Sequence, residues 1–389
     1  MGNNFTPILL ALALLLLPVQ WESVSGSGLL CKEEERRALL HIKAELSCSF
    51  LKWEGKECCH WERVTCHSRT GHVIELDLRY PDGPHMINAY SLLLNATIFL
   101  PLRQLRSLSL SELGICDCVA GAGFESWSTL NKLKMLDLSY NELNRSIISS
   151  LVQVPSLRIL DLEGNENMTG NVPVNEFSAT NLEVVNLRDC GFNGSLPYLG
   201  DWSSLKAFSV SGNDLYGTIT STGLCRLKNL EELDLSYNNF AGTLPPWQIP
   251  RELTKLTSLE VFSVAYNNLS GPTLDLKAQF GTFDNRIYEG NPNLCGPPLS
   301  KSCFSYHDTK LPSQNKTGND QGGESINFLI LFGSFALFFV VSFWGLITVL
   351  YFKSNWRYGL FNLVDEYGDM IYVRVVLFVR KIRAAQRNN

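Results

Sequence analysis

Leucines recur along the chain in a nine-residue pattern, LxxLxLxxN, with polar residues at most of the other positions. Six copies occur, at 133–141, 157–165, 182–190, 205–213, 230–238 and 259–267, and weaker copies lie at 105–113 and 73–78. From 113 to 267 the last positions of successive copies are separated by 28, 24, 25, 23, 25 and 29 residues. A period of this length predicts a solenoid in which each repeat forms one coil.

The spacing of the pattern gives each position a structural role. We expect the apolar residues at positions 1, 4 and 6 to point into a shared core, and a short strand to pair with the same strand of the next coil. At position 9 the asparagine side chain is expected to bond the backbone of neighbouring coils. These asparagines are therefore assigned a structural role: Asn141, Asn165, Asn213, Asn238 and Asn267, with Cys190 as a substitute in one coil.

After position 9, several copies continue as NxLxGxIP, for example NNFAGTLP and NNLSGP. The glycine permits a turn with positive φ, and the proline fixes the extended segment that follows. This unit of about 24 residues resembles the plant-type leucine-rich repeat. The predicted fold class is thus an α/β repeat solenoid, a segment of a horseshoe.

Two long apolar stretches lie outside the repeats, one before them and one after them. The first, at 8–17, is too short to cross a bilayer and precedes small residues near Ser25, so it predicts a secretory signal peptide. The second, at 328–352, has 25 residues without a charge and predicts one transmembrane helix. Acidic residues precede this helix and basic residues follow it, which places the C-terminal side in the cytoplasm.

Composition and motifs narrow the functional classes. A net charge of −5 argues against nucleic-acid binding, and eleven cysteines suit an oxidising compartment. Neither HExxH, GxSxG nor a phosphate-binding loop occurs in the sequence, and the 37 residues after the apolar segment cannot hold a kinase domain. We therefore expect no catalytic residues, no cofactor and no enzymatic activity.

Cysteine-containing segments flank the repeats: Cys31 and CCHWERVTC at 58–66 precede them, and NPNLCGPPLSKSC at 291–303 follows them. Together with the signal peptide and membrane helix, these segments resemble the kinase-lacking plant receptor-like proteins. The resemblance implies disulfide-bonded caps, with Cys31 paired to Cys58, Cys59 to Cys66, and Cys295 to Cys303. A zinc site is the rival for the first four cysteines, but they lack CxxC pairs, so no metal site is expected.

The resulting domain boundaries run along the whole chain. We predict a signal peptide at 1–25, an N-terminal cysteine cap at 26–72, about eight repeats at 73–285, a C-terminal cysteine cap at 286–304, a polar acidic spacer at 305–327, the transmembrane helix at 328–352 and a cytoplasmic tail at 353–389. The tail carries seven basic and three acidic residues, so it either lies on the anionic inner leaflet or is solvated.

One junction departs from the family pattern. Members of this family usually have many more repeats, and here TLPP at 243–246 is followed at once by QIPR at 248–251, so two repeat endings stand side by side. We infer a shortened member, produced by an internal deletion or an incorrectly joined gene. Transcript sequencing across residues 240–255 tests this inference.

Candidate ligand-binding residues lie at positions 2, 3, 5, 7 and 8, which face the concave side in such solenoids. Acidic residues outnumber basic ones there by nine to four, which would attract a cationic peptide, and tyrosines recur at position 8. The alternative is a solvated face with ordinary charge scatter. The candidates are Asp137, Tyr140, Asp161, Glu163, Glu183, Arg188, Glu231, Asp234, Tyr237 and Tyr266.

Two further sets of residues concern modification. Glycosylation sequons occur at Asn95, Asn144, Asn167, Asn193, Asn268 and Asn315. The three implied disulfides leave five cysteines, an odd number, so at least one is free or bonded to another chain. These are Cys48, Cys116, Cys118, Cys190 and Cys225, of which Cys190 and Cys225 are expected to be buried apolar fillers.

The resemblance implies a single-pass type I receptor of the plasma membrane, with its N-terminus outside the cell. Such a receptor recognises an extracellular peptide, protein or pathogen-derived ligand and signals in defence or development through a receptor kinase in trans. A truncated, non-signalling decoy or regulatory binding protein is the main alternative. A secreted inhibitor built from similar repeats is less compatible with the membrane helix.

Overall fold

The computed structural model describes residues 31–81, 91–244, 259–274 and 283–303. The chain divides into two compact units, Met1–Ser305 and Tyr306–Asn389, and all described residues belong to the first. Within these ranges no helix is long and apolar enough to cross a membrane. The predicted signal peptide, spacer, transmembrane helix and tail lie outside the described residues, as does the junction between repeat endings after Leu244.

The N-terminal cap is built around helix α1 (Glu33–Glu45). Three glutamates occupy its first turn, where they interact favourably with the helix dipole, and Leu39 and Ile42 are fully buried against the first coil. Trp53 and Trp61 stack with ring centroids 5.3 Å apart beside it. The cap thereby covers the apolar end of the solenoid.

Among the described residues the main sheet has nine strands, and eight of them are parallel. Its antiparallel edge strand β1 (Val64–Cys66) pairs with β2 (Val73–Asp77), and each later strand is supplied by the LxL segment of one coil. The order is β1, β2, β4 (Ser107–Ser109), β6 (Met135–Asp137), β7 (Ile159–Asp161), β8 (Val184–Asn186), β10 (Ala207–Ser209), β12 (Glu232–Asp234) and β14 (Val261–Ser263).

A second parallel sheet forms where the xLxGx segments stack on another side of the coils. It contains β9 (Asn193–Ser195), β11 (Asp214–Gly217), β13 (Asn239–Thr243), β15 (Asn268–Pro272) and β16 (Asn293–Cys295). A separate pair joins β3 (Leu92–Leu94) and β5 (Ile115–Cys118). The glycines of the xLxGx segments have the positive φ predicted for them, +118° at Gly194 and +93° at Gly217.

Short helices complete the coils on the side opposite the main sheet. They are the α-helical turns α2 (Ile148–Leu151) and α3 (Val174–Ser178) and the 3₁₀ turns Ala96–Phe99, Phe124–Thr129, Arg145–Ile147, Ile219–Ser221 and Leu224–Arg226, while Cys58–His60 and Asn285–Tyr288 lie in the regions before and after the repeats.

The leucines of the pattern form the core, as predicted. In the coil that begins at Leu133, the side chains of Leu133, Leu136 and Leu138 are all fully buried. Aromatic side chains fill the wider side of the coils, where Phe177 stacks on Trp202 at 5.8 Å. The indole of Trp202 also donates a hydrogen bond to the Leu182 carbonyl, so this buried polar group is satisfied.

The asparagine ladder is confirmed. Asn165 is typical: it is fully buried, its Nδ2 donates to the carbonyls of Leu138 and Leu162, and its Oδ1 accepts from the Leu143 amide. Cys190 takes the same place in its coil, with its sulfur 3.1 Å from the Leu162 carbonyl oxygen. The ladder extends to Asn291, beyond the copies of the pattern found in the sequence.

Candidate ligand-binding surface

The side of the main sheet turned away from the leucine core is called the concave face here. Strand residues alternate between core and concave face, so positions 3 and 5 of each coil project onto it. At position 3 of adjacent strands lie Ile159, Val184 and Ala207, which are in register. They are only 1–3% exposed although they do not face the leucine core. An apolar strip therefore lies beneath the polar side chains of this face.

At the N-terminal end of the concave face, Asp137 organises a buried polar cluster. Its Oδ2 accepts a hydrogen bond of 2.9 Å from the Ser109 hydroxyl, and its Oδ1 accepts from the amide and hydroxyl of Ser139. Arg79 approaches the same carboxylate at 3.8 Å. Asp137 is only 7% exposed, so most of its hydrogen-bonding capacity is used within the fold.

Beside this cluster, three predicted residues meet in one network. The Tyr140 hydroxyl donates a hydrogen bond of 2.5 Å to Glu163 of the following coil. Asn186, one coil beyond Glu163, donates through Nδ2 to both Asp161 and Glu163 at 2.9 Å. The structure thus brings together Tyr140, Asp161 and Glu163, and the neutral amide of Asn186 bridges the two carboxylates.

The middle of the face is crossed by ion pairs between coils. Glu183 contacts Arg158 at 2.7 Å and Lys206 at 2.6 Å, and Arg188 reaches Asp234 at 3.5 Å. All these pairs are partly exposed, so each contributes little to stability, about 0–1 kcal/mol. They nevertheless offset part of the acidic excess counted in the sequence, because Glu183 and Asp234 have cations close by.

Charge is distributed unevenly along position 2 of the coils. Arg106, Lys134 and Arg158 stand on neighbouring coils towards the N-terminal end, whereas Glu231 and Glu260 stand on later coils. The pKa of Lys134 is lowered, first by partial burial and then by the neighbouring cations Arg106 and Arg158. The N-terminal part of this row is therefore electropositive and its C-terminal part electronegative.

The position-8 tyrosines have an unusual backbone conformation. Tyr140, Tyr237 and Tyr266 have φ values of +54°, +52° and +53°, in the left-handed region that non-glycine residues rarely adopt. Tyr237 and Tyr266 stack with centroids 4.4 Å apart and an interplanar angle of 12°. They are 49% and 41% exposed, so these two rings form an open aromatic surface at the C-terminal end of the face.

The sequence missed several participants in this surface. Asn186 occupies position 5 and was recoverable from the pattern, but only charged and aromatic residues were taken as candidates. Arg79 follows the weak first copy, where no pattern position identifies it. Glu112 lies at position 8 of the weak copy at 105–113. Partial burial raises the pKa of its carboxyl group; the nearby Arg79 acts to lower it, and Asp137 acts to raise it.

The cysteine caps agree with the pairing implied by the resemblance. Disulfides join Cys31 to Cys58, Cys59 to Cys66, and Cys295 to Cys303. The sulfurs of Cys31, Cys58 and Cys59 lie within 4.8 Å of one another, as metal ligands would. Since all three are consumed in disulfides, they offer no thiolate to a metal ion.

Of the other cysteines whose side chains the structure describes, four carry free thiols: Cys48, Cys116, Cys118 and Cys190. Cys190 is fully buried, as predicted, and burial raises its thiol pKa strongly. Burial also raises the pKa of Cys48 and Cys118 to about 11. The side chain of Cys225 lies outside what the structure describes.

The described sequons avoid the concave face. Asn144, Asn167, Asn193 and Asn268 are exposed and Asn95 is partly exposed, while Asn315 lies outside the described residues. Asn193 and Asn268 begin strands of the second sheet, and none of these five asparagines belongs to a strand of the main sheet.

Sequence comparisons match the two parts of this architecture. Residues 32–67 match a family described as leucine rich repeat N-terminal domain, and residues 132–153 and 229–249 match the leucine rich repeat. Among curated proteins, the chain is 40% identical over 236 residues to Cuscuta receptor 1 of Solanum lycopersicum, covering 55% of this chain and 21% of that protein. It is 36% identical over 175 residues to receptor-like protein 9a of Arabidopsis thaliana, covering 43% of this chain and 18% of that protein. The chain spans about a fifth of the length of these relatives.

Solved structures that resemble this chain include a plant ice-binding protein, at a TM-score of 0.48 and 26% identity, covering 71% of this chain and 99% of that one. Another is the ectodomain of the Arabidopsis thaliana membrane receptor kinase GASSHO1/SCHENGEN3, at a TM-score of 0.41 and 29% identity, covering 52% of this chain and 23% of that one. The chain is a leucine-rich-repeat protein with the N-terminal domain of that class, and its curated relatives are plant receptor-like proteins.

Proposed function

We propose that this chain is a cell-surface receptor-like protein that recognises an extracellular peptide or pathogen-derived ligand on its concave face. The observation that carries the proposal is the concave face itself, where charged, amide and tyrosine side chains from at least six coils stand on the main sheet and an apolar strip underlies three of these coils. Such a surface combines a desolvated base with directional polar groups, which suits specific binding.

Two further observations support this function. Curated relatives at 36–40% identity are named as receptors or receptor-like proteins. The distribution of sequons leaves the main sheet without an attachment site among the described residues, so glycans at the other sites would leave this face accessible. On this proposal, the apolar segment 328–352 anchors the chain in the plasma membrane, and a receptor kinase supplied in trans carries the signal.

A non-signalling decoy is the second candidate, and one observation favours it. The main sheet has only eight parallel strands in the described residues, and two repeat endings adjoin at 243–251. A shortened array of this kind would bind part of a ligand, or a partner kinase, without assembling the full complex.

The test uses the full-length tagged chain in plant cells, with capture of associated receptor kinases and an oxidative-burst assay against plant and microbial extracts. Three variants are compared: deletion of 328–352, Asp161→Ala with Glu163→Ala on the concave face, and Tyr216→Ala as a control. Tyr216 is 56% exposed but lies on the second sheet, so its loss should change nothing.

The receptor proposal predicts that the deletion abolishes kinase capture, and that the concave variant abolishes the burst while kinase capture persists. Kinase capture without any burst, in both the parent chain and the concave variant, would support the decoy instead. If the full-length chain did not fractionate with membranes, both candidates would be rejected.

A further inference from the structure

Basic side chains line the edge of the main sheet at which its strands begin, on three successive coils near the N-terminal end. Three of them occupy position 2, directly before a strand, and the fourth precedes one of these by two residues. Together they are called the basic strip: Arg106, Lys132, Lys134 and Arg158. The segments that contain them, 100–109, 130–136 and 152–160, have no Asp or Glu. The acidic excess of the whole concave face is therefore reversed at this edge.

The backbone holds the position-2 members of the strip in one row. The Lys134 amide donates a hydrogen bond of 2.8 Å to the Arg106 carbonyl, and the Arg158 amide donates one of 2.8 Å to the Lys134 carbonyl. Neighbouring strands of a sheet lie about 4.7–4.9 Å apart, so the cations of this row recur at that spacing.

The fold neutralises this charge only in part. Arg106 and Lys132 have no ion pair with a carboxylate of the described residues. Arg158 bonds Glu183 through Nη1 at 2.7 Å, but its side chain is 46% exposed and its guanidinium has further N–H donors. The four cations also act on one another, because the pKa of Lys134 is lowered first by partial burial and then by Arg106, Arg158 and Lys132.

A linear polyanion would relieve this repulsion, and the spacing of the row selects its kind. An extended acidic peptide presents side chains to one face at every second residue, about 6.4–6.8 Å apart, which is out of step with the coils. In a chain of linked uronic acids each sugar ring carries one carboxylate and is about as long as one coil is thick. The carboxylates that face the row are therefore separated by whole numbers of coils.

We propose that the basic strip binds a linear polyuronate, an acidic polysaccharide with one carboxylate on each sugar ring. The polysaccharide runs along the solenoid axis, with Arg106 and Arg158 each holding a carboxylate through paired N–H bonds. Lys132 and Lys134 add point charges between them. The proposal goes beyond the proposed function, because it assigns a second class of ligand and requires neither a peptide ligand nor a partner kinase.

The neighbouring coils limit the site to three coils. Position 2 of the next coil is Glu183, and Glu231 and Glu260 occupy this position on later coils, where they would repel further carboxylates. No sequon lies within the three segments that contain the strip, so glycans at the described sequons are attached elsewhere.

The test measures binding of a galacturonate oligomer to the purified full-length chain in non-ionic detergent, by isothermal titration calorimetry at low salt. The same oligomer with methyl-esterified carboxyl groups is the uncharged analogue, and poly-L-glutamate with an equal number of carboxylates is the peptide analogue. We expect the galacturonate oligomer to bind about tenfold more tightly than its ester, and severalfold more tightly than poly-L-glutamate.

The strip is tested with the double variant Arg106→Gln with Lys132→Gln, which should lower the affinity for the galacturonate oligomer about fivefold. Because it removes two of four mutually repelling cations, this variant should fold. The matched control is Lys206→Gln with Lys228→Gln, which also removes two charges before main-sheet strands, but on later coils. Lys206 already contacts Glu183 at 2.6 Å, so the control should change the affinity less than about twofold.

Equal binding of the oligomer and its ester would overturn the proposal, and so would equal binding of poly-L-glutamate or equal losses in the two double variants. If the strip variant did not fold, the parent chain would still decide, because screening at about 0.2 M salt should weaken binding severalfold and an unchanged affinity would reject the site. The assay contains no kinase and no cell. Failure of kinase capture would therefore reject the receptor and retain this site, and failure of galacturonate binding would reject the site alone.

Discussion

The Tyr140 hydroxyl donates a 2.5 Å hydrogen bond to the Glu163 carboxylate, while its ring lies over the next residue, Gly164. Residues 23 positions apart in the sequence are joined in this way because successive coils place equivalent positions side by side. Because equivalent positions of adjacent coils touch, a substitution on one coil also affects the side chain that covers it from the neighbouring coil.

Gly164→Ala should destabilise the protein by about 2–4 kcal/mol. Gly164 has φ of +75°, which costs an alanine roughly 1–2 kcal/mol, and the new Cβ would lie 2.5 Å from Cδ1 of Tyr140, so the ring must move as well. The measurement is urea-induced unfolding followed by tryptophan fluorescence.

Gly55→Ala is the matched control for that experiment. Gly55 has a similar φ of +79°, but a Cβ there would meet nothing within 4 Å, so only the backbone cost applies. The two variants should therefore differ by the cost of displacing the Tyr140 ring. Equal destabilisation of both would mean that the ring moves freely.

Asn165→Ala should cost about 3 kcal/mol or more. Removal of this side chain leaves the Leu138 and Leu162 carbonyls and the Leu143 amide without their asparagine partner in a fully buried place. Asn131→Ala, on an exposed loop, should remain within about 0.5 kcal/mol of the parent. A loss at Asn165 no larger than at Asn131 would show that the ladder contributes little.

Glu35→Ala should weaken the attachment of the cap helix α1 to strand β2. Glu35 is 4% exposed, and its carboxylate accepts hydrogen bonds from the Val73 amide at 2.8 Å and from the His72 ring at 2.9 Å. Its loss leaves a buried amide unpaired, at a cost of about 2–3 kcal/mol. Hydrogen exchange of the Val73 amide is the direct readout, and Glu34→Ala, exposed on the same helix, is the control.

Whether a feature of the fold or of the concave face could be predicted from the sequence depends on whether it follows from one repeat or from the stacking of several. Burial of Leu133, Leu136 and Leu138 and the role of Asn165 follow from one repeat, because spacing alone determines which side chains point inward. The three disulfides were also anticipated, but through the resemblance and not through spacing.

Features that depend on contacts between coils were not predictable in the same way. The bonds of Glu183 to Arg158 and Lys206 require side-chain rotamers on three coils, which no single copy of the pattern specifies. Burial of Ile159 on the concave face likewise depends on the long side chains of its neighbours. The acidic excess read from the sequence was therefore a poor measure of the charge that a ligand meets.

Alkylation of Cys118 should keep accelerating with pH beyond the point at which an ordinary thiol levels off. Burial, reinforced by the negative charge of Asp117, raises the Cys118 pKa to about 11, and only the thiolate reacts with iodoacetamide. Its rate should therefore rise about tenfold per pH unit from pH 8 to 10, whereas a free cysteine compound with a pKa of about 8.5 levels off near pH 9. Rates are measured by mass spectrometry in a Cys116→Ser background, which leaves one free thiol on this strand, with Cys118→Ser as the blank. A plateau near pH 9 in the folded protein, followed by no change on unfolding in urea, would contradict the prediction, because it would mean that the fold does not shield this thiol.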